Sequence, residues 1–192
     1  MGSALQPNPR AAAIAAVAEL SEEALALLRP DVQPPDYINL LVEKTLFPDA
    51  VRFLAHALPK REGVWWGWVC AKRVAGENPP PPIKTALEAT EKWIAQPTDE
   101  NRRAAYAAAE AAPFSTPAGC AGLAAFFSGP SLAPPDLPPV PPGEFLAAKA
   151  VSGAVIFAAI AKEPEKGPDK FKQFISQGVD VTLRIKLWAE GK

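Results

Sequence analysis

The chain has 192 residues, with 20 basic and 21 acidic side chains and a formal net charge of −1. The two signs are interspersed along the sequence, whereas nucleic acids and anionic membranes require a concentrated basic surface. The charge pattern therefore argues against both as the main partner. The length is sufficient for one domain with a sizeable core.

The composition predicts helices rather than sheets. Apolar residues make up 48% of the chain, and much of that fraction is alanine, which favours closely packed helices. The 23 prolines are more than twice the usual share of about 5% and fall between helical segments. We predict an all-α single domain: a bundle of about eight helices joined by proline-rich crossover segments.

The chain divides into three segments. We expect a disordered tail over residues 1–10, a helical segment and linker over 11–35, and the helical domain itself over 36–190. Ser21, followed by two glutamates, is expected to cap a new turn inside the second segment. The first residues lack the basic start and apolar core of a signal peptide, so we expect a cytoplasmic protein.

The densest aromatic stretch lies in residues 58–72, which contain three of the five tryptophans. It predicts a helix that begins near Pro59, because proline suits the first helical turn. Gly63 and Gly67 are one helical turn apart, and each costs about 1 kcal/mol relative to alanine. We expect that their small size permits close approach of another helix.

The three tryptophans of this helix divide between two neighbouring faces. Helical spacing places Trp65 and Trp68 on one face, which we expect to be core, and Trp66 on the other. Trp66 is then the tryptophan that reaches the surface. There it could form a candidate interaction patch with Lys60 and Arg61.

Capping residues and prolines predict the starts of the other helices. Asp36 is expected to cap a helix that extends to about Leu46, and Pro48 opens the next one. Four consecutive prolines, residues 79–82, are expected to form polyproline II. Thr98 and Thr116 are predicted N-caps. We place Arg102, Arg103 and Glu110 on the solvent side of the helix that follows Thr98, opposite its alanines.

The longest proline-rich segment covers residues 130–143. At about 3.1 Å per residue, polyproline II of this length spans roughly 43 Å, enough to cross the domain. We predict that Leu132, Leu137 and Val140 hold it against the surface of its own domain, and that Gly129 before it is a left-handed helix cap. The alternative is a peptide ligand for an aromatic groove of another protein.

The C-terminal part predicts two further helices. Phe145 to Ala161 is too short and too interrupted to span a membrane, so we interpret it as a core helix. The last helix is predicted from Asp169 to about Glu190. Its apolar stripe runs from Phe171 to Leu187 and includes Leu183, and Gly178 is a weak point in it.

No catalytic signature stands out. Cys70 and Cys120 are expected to be free buried thiols, and neither has the neighbours of a metal site. His56, the only histidine, could in principle act with a cysteine, especially with Cys120 near a helix N-terminus. The acidic pairs Glu22–Glu23 and Asp99–Glu100 lie at predicted helix N-termini, where negative charge is favourable. We therefore predict no enzyme, no cofactor and no small-molecule substrate.

Several segments together resemble a known family. They are residues 47–66, from FPDAVRF to VWW, residues 95–105 (AQPTDENRRAA), residues 116–119 (TPAG) and residues 131–139 (SLAPPDLPP). In this combination, residues 36–180 resemble an uncharacterised family of bacterial helical proteins. The resemblance implies no catalytic residue. It implies an accessory or adaptor role, since such proteins can be encoded near contractile secretion genes of the type VI kind.

The functional hypothesis is a non-enzymatic interaction, adaptor or accessory protein whose partner is another protein, such as a secretion component or effector. The alternative is an immunity-type protein that binds and neutralises a toxin. An enzyme is the third hypothesis, which a deep pocket joining His56 to a cysteine or to carboxylates would favour.

Overall fold

A computed structural model describes residues 9–188, which contain ten α-helices, one short 3-10 helix and no strand. The all-helical prediction is confirmed. The count exceeds eight partly because residues 11–28 form two helices. The helices are α1 (Pro9–Val17), α2 (Glu22–Ala26), α3 (Pro34–Glu43), α4 (Phe47–Ala57), α5 (Lys60–Ala75), α6 (Pro81–Ala95), α7 (Asp99–Ala111), α8 (Pro117–Phe127), α9 (Leu146–Ile160) and α10 (Gly167–Arg184).

Three of the predicted N-caps are confirmed. The hydroxyls of Ser21, Thr98 and Thr116 accept hydrogen bonds from backbone N–H groups in the first turns of α2, α7 and α8. Each side chain thereby pairs a donor that has no partner within the helix. These local bonds explain why the helix starts are readable from the sequence.

Two of the predicted starts are wrong because prolines enter the helices. Gln33 is the N-cap of α3, so Asp36 lies within its first turn. The four prolines are not all polyproline II, since α6 begins at Pro81 with Pro80 as its N-cap. The first helical N–H groups need no intrahelical partner, so prolines are tolerated there.

The N-terminal segment packs onto the remaining helices. The carboxylate of Asp49, buried near the start of α4, accepts hydrogen bonds from the backbone N–H (2.8 Å) and the hydroxyl (3.1 Å) of Ser21. The hydroxyl of Tyr37 donates to the carbonyl of Ala24 at 2.6 Å. Of the predicted disordered tail, residues 1–8 lie outside the described residues, and residues 9 and 10 belong to α1.

The tryptophan helix α5 lies between two apolar clusters, as its two aromatic faces predict. Val64, Trp66 and Cys70 belong to the larger cluster, and Trp68 and Ala71 to the smaller one. Helices α6, α8, α9 and α10 all pack against α5. Helix α5 therefore shares the centre of the bundle with α8 and α9, which also pack against several helices.

The two glycines of α5 face α9. A Cβ atom added to Gly63 would lie 3.5 Å from Cγ2 of Val151, and one added to Gly67 would lie 3.3 Å from Cβ of Ala154. The predicted close approach of another helix at these glycines is confirmed. It offsets the low helix propensity of glycine.

The two C-terminal helices differ in length from the predictions. Helix α9 is a core helix, and within residues 9–188 no helix is both long and apolar enough to cross a membrane. Helix α10 ends at Arg184 instead of near Glu190, and Leu183 is largely exposed instead of lying in the apolar stripe. Helix α10 continues through Gly178, so the predicted weak point does not interrupt it.

The proline-rich segment folds back on itself, so the predicted extended crossover is wrong. The N–H of Leu132 donates to the carbonyl of Val140 at 2.7 Å, and the Ser131 hydroxyl accepts from the N–H groups of Ala133 and Val140. These bonds close a loop with adjoining ends. We call residues 130–143 the proline-rich loop.

Candidate protein-interaction surfaces

The sequence-predicted patch of Lys60, Arg61 and Trp66 does not form. Lys60 and Arg61 are exposed, but Trp66 is fully buried. Its indole N–H donates to the carbonyl of Phe174 in α10 at 2.8 Å. Because the ring is enclosed by the core, no partner can reach it in the folded protein.

The prediction for Trp65 is wrong, whereas that for Trp68 is confirmed. Trp68 is buried as expected, and its indole N–H donates to the carbonyl of Leu87 at 2.9 Å. Trp65 is only half-buried. Helical periodicity shows which residues share a face, but not how deeply each residue of an apolar face is buried. The tryptophan of α5 that reaches the surface is therefore Trp65.

Trp65 lines a surface groove of about 250 Å³ between α5, the end of α6 and the end of α10. We call it the arginine groove because two arginines line it. Arg61 donates from Nε to the carbonyl of Ile94 at 2.8 Å, which fixes its guanidinium at the rim. The residues that line the groove are Arg61, Glu62, Trp65, Ile94, Val181, Arg184 and Ile185.

Arg102 is the most unusual side chain of the structure, because it is a buried cation. Only 2% of it is exposed, although the alternation of α7 predicted a solvent position. Its guanidinium donates to the carboxylate of Asp99 and to the carbonyls of Phe126 and Ser131, the latter two at 2.8 Å. It also lies 4.8 Å over the ring of Phe126. Charge-assisted bonds of this kind offset the cost of burying a cation.

Arg102 and Arg103 hold the base of the proline-rich loop. The bond from Arg102 to the Ser131 carbonyl is matched by one from Arg103 Nη2 to the carbonyl of Ala133 at 2.6 Å. Asp99 pairs with both arginines. Their hydrogen bonds hold the pKa of its carboxyl below the ordinary value, and the bond from Arg103 has the larger effect on that pKa. The loop is thus fixed at its base by charged groups of α7.

Gly129 serves this anchor. It does not have a positive φ, so the predicted left-handed cap is wrong. A Cβ atom added to Gly129 would instead collide with the side chain of Arg102. The glycine is therefore required for the close approach of the arginine, a role that its position after a helix does not reveal.

The loop is exposed at Leu137 and Val140, contrary to the prediction that these residues hold it to the domain, whereas Leu132 is half-buried. Leu137 is 55% exposed and Val140 is 53% exposed, and Pro138, Pro139 and Pro141 beside them are also exposed. Hydrogen bonds therefore fix the ends of the loop, while Leu137 at its tip and Val140 at its closing bond expose apolar side chains. Sequence patterning indicated an apolar loop but not which side it faces.

His56 lies in a pocket of about 340 Å³ that contains charged residues from three segments, including Glu19 and Lys149. Glu19 pairs with Lys149 at 2.6 Å, and the hydrogen bond from Lys149 lowers the pKa of the Glu19 carboxyl. The Nδ1 atom of His56 donates to the Arg52 carbonyl at 2.8 Å, while burial lowers the pKa of the imidazole. Neither cysteine lines this pocket, so it does not form the Cys–His pair considered from the sequence, and the one carboxylate that lines it, Glu19, is paired with Lys149.

Both cysteines are free and buried, as predicted. Burial raises the pKa of the Cys120 thiol to about 11 and raises that of the Cys70 thiol even further. The lowered pKa considered for Cys120 at a helix N-terminus is thus wrong, because burial raises the pKa of its thiol. Within residues 9–188, no group of three potential ligands is arranged to hold a metal ion.

We expect neither thiol to react with a disulfide reagent in the folded protein. A rise in pKa from 9.0 to about 11 lowers the thiolate fraction of Cys120 about 100-fold at neutral pH. The measurement is the consumption of the reagent in native buffer and in denaturant, where both thiols should react. Rapid reaction of one thiol in native buffer would contradict the burial of that cysteine, and a Cys120→Ala variant would identify which cysteine reacts.

A comparison with known protein families gives one match. The model of a family of unknown function, DUF6931, matches residues 37–182, about three quarters of the chain. The range agrees with the resemblance to an uncharacterised family over residues 36–180, which is confirmed. No curated protein and no solved structure matches the chain.

Proposed function

Because the chain belongs to DUF6931, a family of unknown function, we propose a function from its surface. We propose a non-enzymatic interaction protein, an adaptor or accessory factor, that presents the proline-rich loop to a partner protein. The observation that carries the proposal is the contrast within the loop. Arg102 and Arg103 fix its base, while the side chains of Leu137 and Val140 are more than half exposed.

The composition of the tip supports the same function. Proline fixes φ, so the unbound loop samples few conformations and loses little entropy when it binds. Exposed proline-rich segments that include apolar residues dock on aromatic-lined grooves of partner proteins. We therefore expect a partner that offers such a groove to Leu137 and the prolines after it.

The test is an affinity pull-down of the tagged full-length protein from its native host, read by mass spectrometry. The double variant Leu137→Ser/Val140→Ser should lose a partner that the unmodified protein captures, by about tenfold or more, since a few central apolar residues dominate such interfaces. Leu25→Ser is the matched control, because Leu25 is also exposed but lies in α2. Far-UV circular dichroism checks that each variant is folded.

The identity of the partner distinguishes the two protein-binding hypotheses. Secretion-spike, sheath or effector proteins that depend on Leu137 and Val140 would support an adaptor of a secretion machine. A single toxin, captured at one copy per chain, would support the immunity alternative. Equal capture by the double variant would contradict the loop as the contact. A ligand found instead in a metabolite-binding screen would contradict the non-enzymatic function.

A further inference from the structure

The arginine groove is a second surface, separate from the proline-rich loop, whose chemistry specifies a ligand. Its walls are apolar, with the Trp65 ring, Ile94 and Val181 among them. Two guanidinium groups line it, from Arg61 and Arg184, against the single carboxylate of Glu62. An apolar groove whose cations outnumber its anions is complementary to a ligand that is apolar and negatively charged.

Both arginines retain hydrogen-bonding capacity for such a ligand. Arg61 uses Nε and Nη2 for the carbonyls of Ile94 and Ala95, which orients the guanidinium and leaves its remaining N–H groups available. Arg184 is exposed, and within residues 9–188 it forms no ion pair. Arginine binds carboxylates through two parallel N–H bonds, so each can hold one acidic side chain.

We propose that the arginine groove binds a short acidic segment of another protein, with one apolar side chain inserted against Trp65 and flanking Glu or Asp side chains paired with Arg61 and Arg184. The volume of about 250 Å³ suits one or two side chains and not a whole helix. Ile185, one of the lining residues, is exposed and adds apolar surface to the groove. The groove would make the protein an adaptor with two contact surfaces.

The experiment uses the full-length protein and arrays of short synthetic peptides. One array carries a central Leu, Phe or Met between Glu or Asp residues, and the other two carry Lys or Gln in place of the acidic residues. We expect selective binding to the acidic array and a weakening of that binding as NaCl is raised, because salt screens the exposed arginines. Equal binding to all three arrays would overturn the proposal.

Variants then locate the binding site, with the affinity of the strongest acidic peptide measured by fluorescence anisotropy. Arg184→Glu should weaken binding about tenfold or more, since it replaces an attraction by a repulsion. Lys172→Glu makes the same change of charge at an exposed position of α10 outside the groove, and should bind like the unmodified protein. If Arg184→Glu and Arg61→Gln both bound the peptide with the affinity of the unmodified protein, the proposal would be overturned. Leu137→Ser/Val140→Ser should bind the peptide normally, so this test and that of the proline-rich loop fail independently.

Discussion

Replacement of Trp66 by alanine is expected to lower the free energy of unfolding by about 3–5 kcal/mol, the range for a buried aromatic residue truncated to alanine. Trp66 is fully buried, and its indole N–H is bonded to the Phe174 carbonyl. The loss is a large part of the about 5–15 kcal/mol that stabilises a typical domain. The measurement is urea unfolding followed by far-UV circular dichroism, which does not depend on tryptophan fluorescence.

Trp65→Ala is the matched control for this prediction. Trp65 belongs to the same helix and has the same side chain, but it is half-buried and lines a groove instead of the core. Its replacement should cost about 1–2 kcal/mol, since less apolar area returns to water. A larger loss of stability for Trp65→Ala than for Trp66→Ala would contradict the burial of Trp66 and the surface position of Trp65.

A second substitution tests the geometry around the Trp66 ring. A Cβ atom added to Gly178 would lie 2.7 Å from Cε2 of Trp66 and 2.5 Å from Cδ2 of Leu54. Gly178→Ala should therefore destabilise the protein by about 1–3 kcal/mol through overpacking, although alanine favours helices. In the Trp66→Ala background the rigid ring is gone and the flexible Leu54 end can move, so the same change should be neutral or stabilising. Additive losses in the two backgrounds would contradict this packing.

The sequence predicts those parts of the fold that depend on neighbours in the chain. Ser21, Thr98 and Thr116 are caps in the structure because a capping hydroxyl bonds to a backbone group three residues later. The glycines of α5 likewise indicate a close helix contact, since they are costly unless something packs against them. Local chemistry is sufficient in each case.

Positions decided by distant segments could not be predicted. Arg102 is buried because its acceptors include the carbonyls of Phe126 and Ser131, which are 24 and 29 residues away. Nothing near Arg102 in the sequence reveals that these groups converge on it. The fold of the proline-rich loop could not be predicted for the same reason. Its composition is typical of extended chain, but the bond from Leu132 to Val140 folds the chain back. The two candidate surfaces therefore emerge only from the assembled fold.

Replacement of Arg102 by methionine is expected to lower the free energy of unfolding by about 2–4 kcal/mol. Methionine retains most of the apolar stem but donates no hydrogen bond, so the Ser131 carbonyl loses its charged donor. The carboxylate of Asp99 is about half exposed and still pairs with Arg103, so the loss stays below that of an uncompensated buried charge. Urea unfolding gives the stability change.

The same variant should release the proline-rich loop, and this effect separates the anchor from a merely stabilising contact. Hydrogen exchange of the Leu132 and Val140 amides should become faster in Arg102→Met than the global loss of stability requires, because their bonds close the loop whose base the arginine holds. Arg103→Met is the control. It also removes one bond to the loop, at Ala133, together with the pairing to Asp99, but the Arg103 side chain is 27% exposed, so the change should cost less than about 1 kcal/mol. If instead both variants changed loop exchange equally, the buried arginine would not be the anchor. If the loop is the contact that we propose, a base fixed before binding lowers the entropy cost of association, and the buried Arg102 contributes to that base.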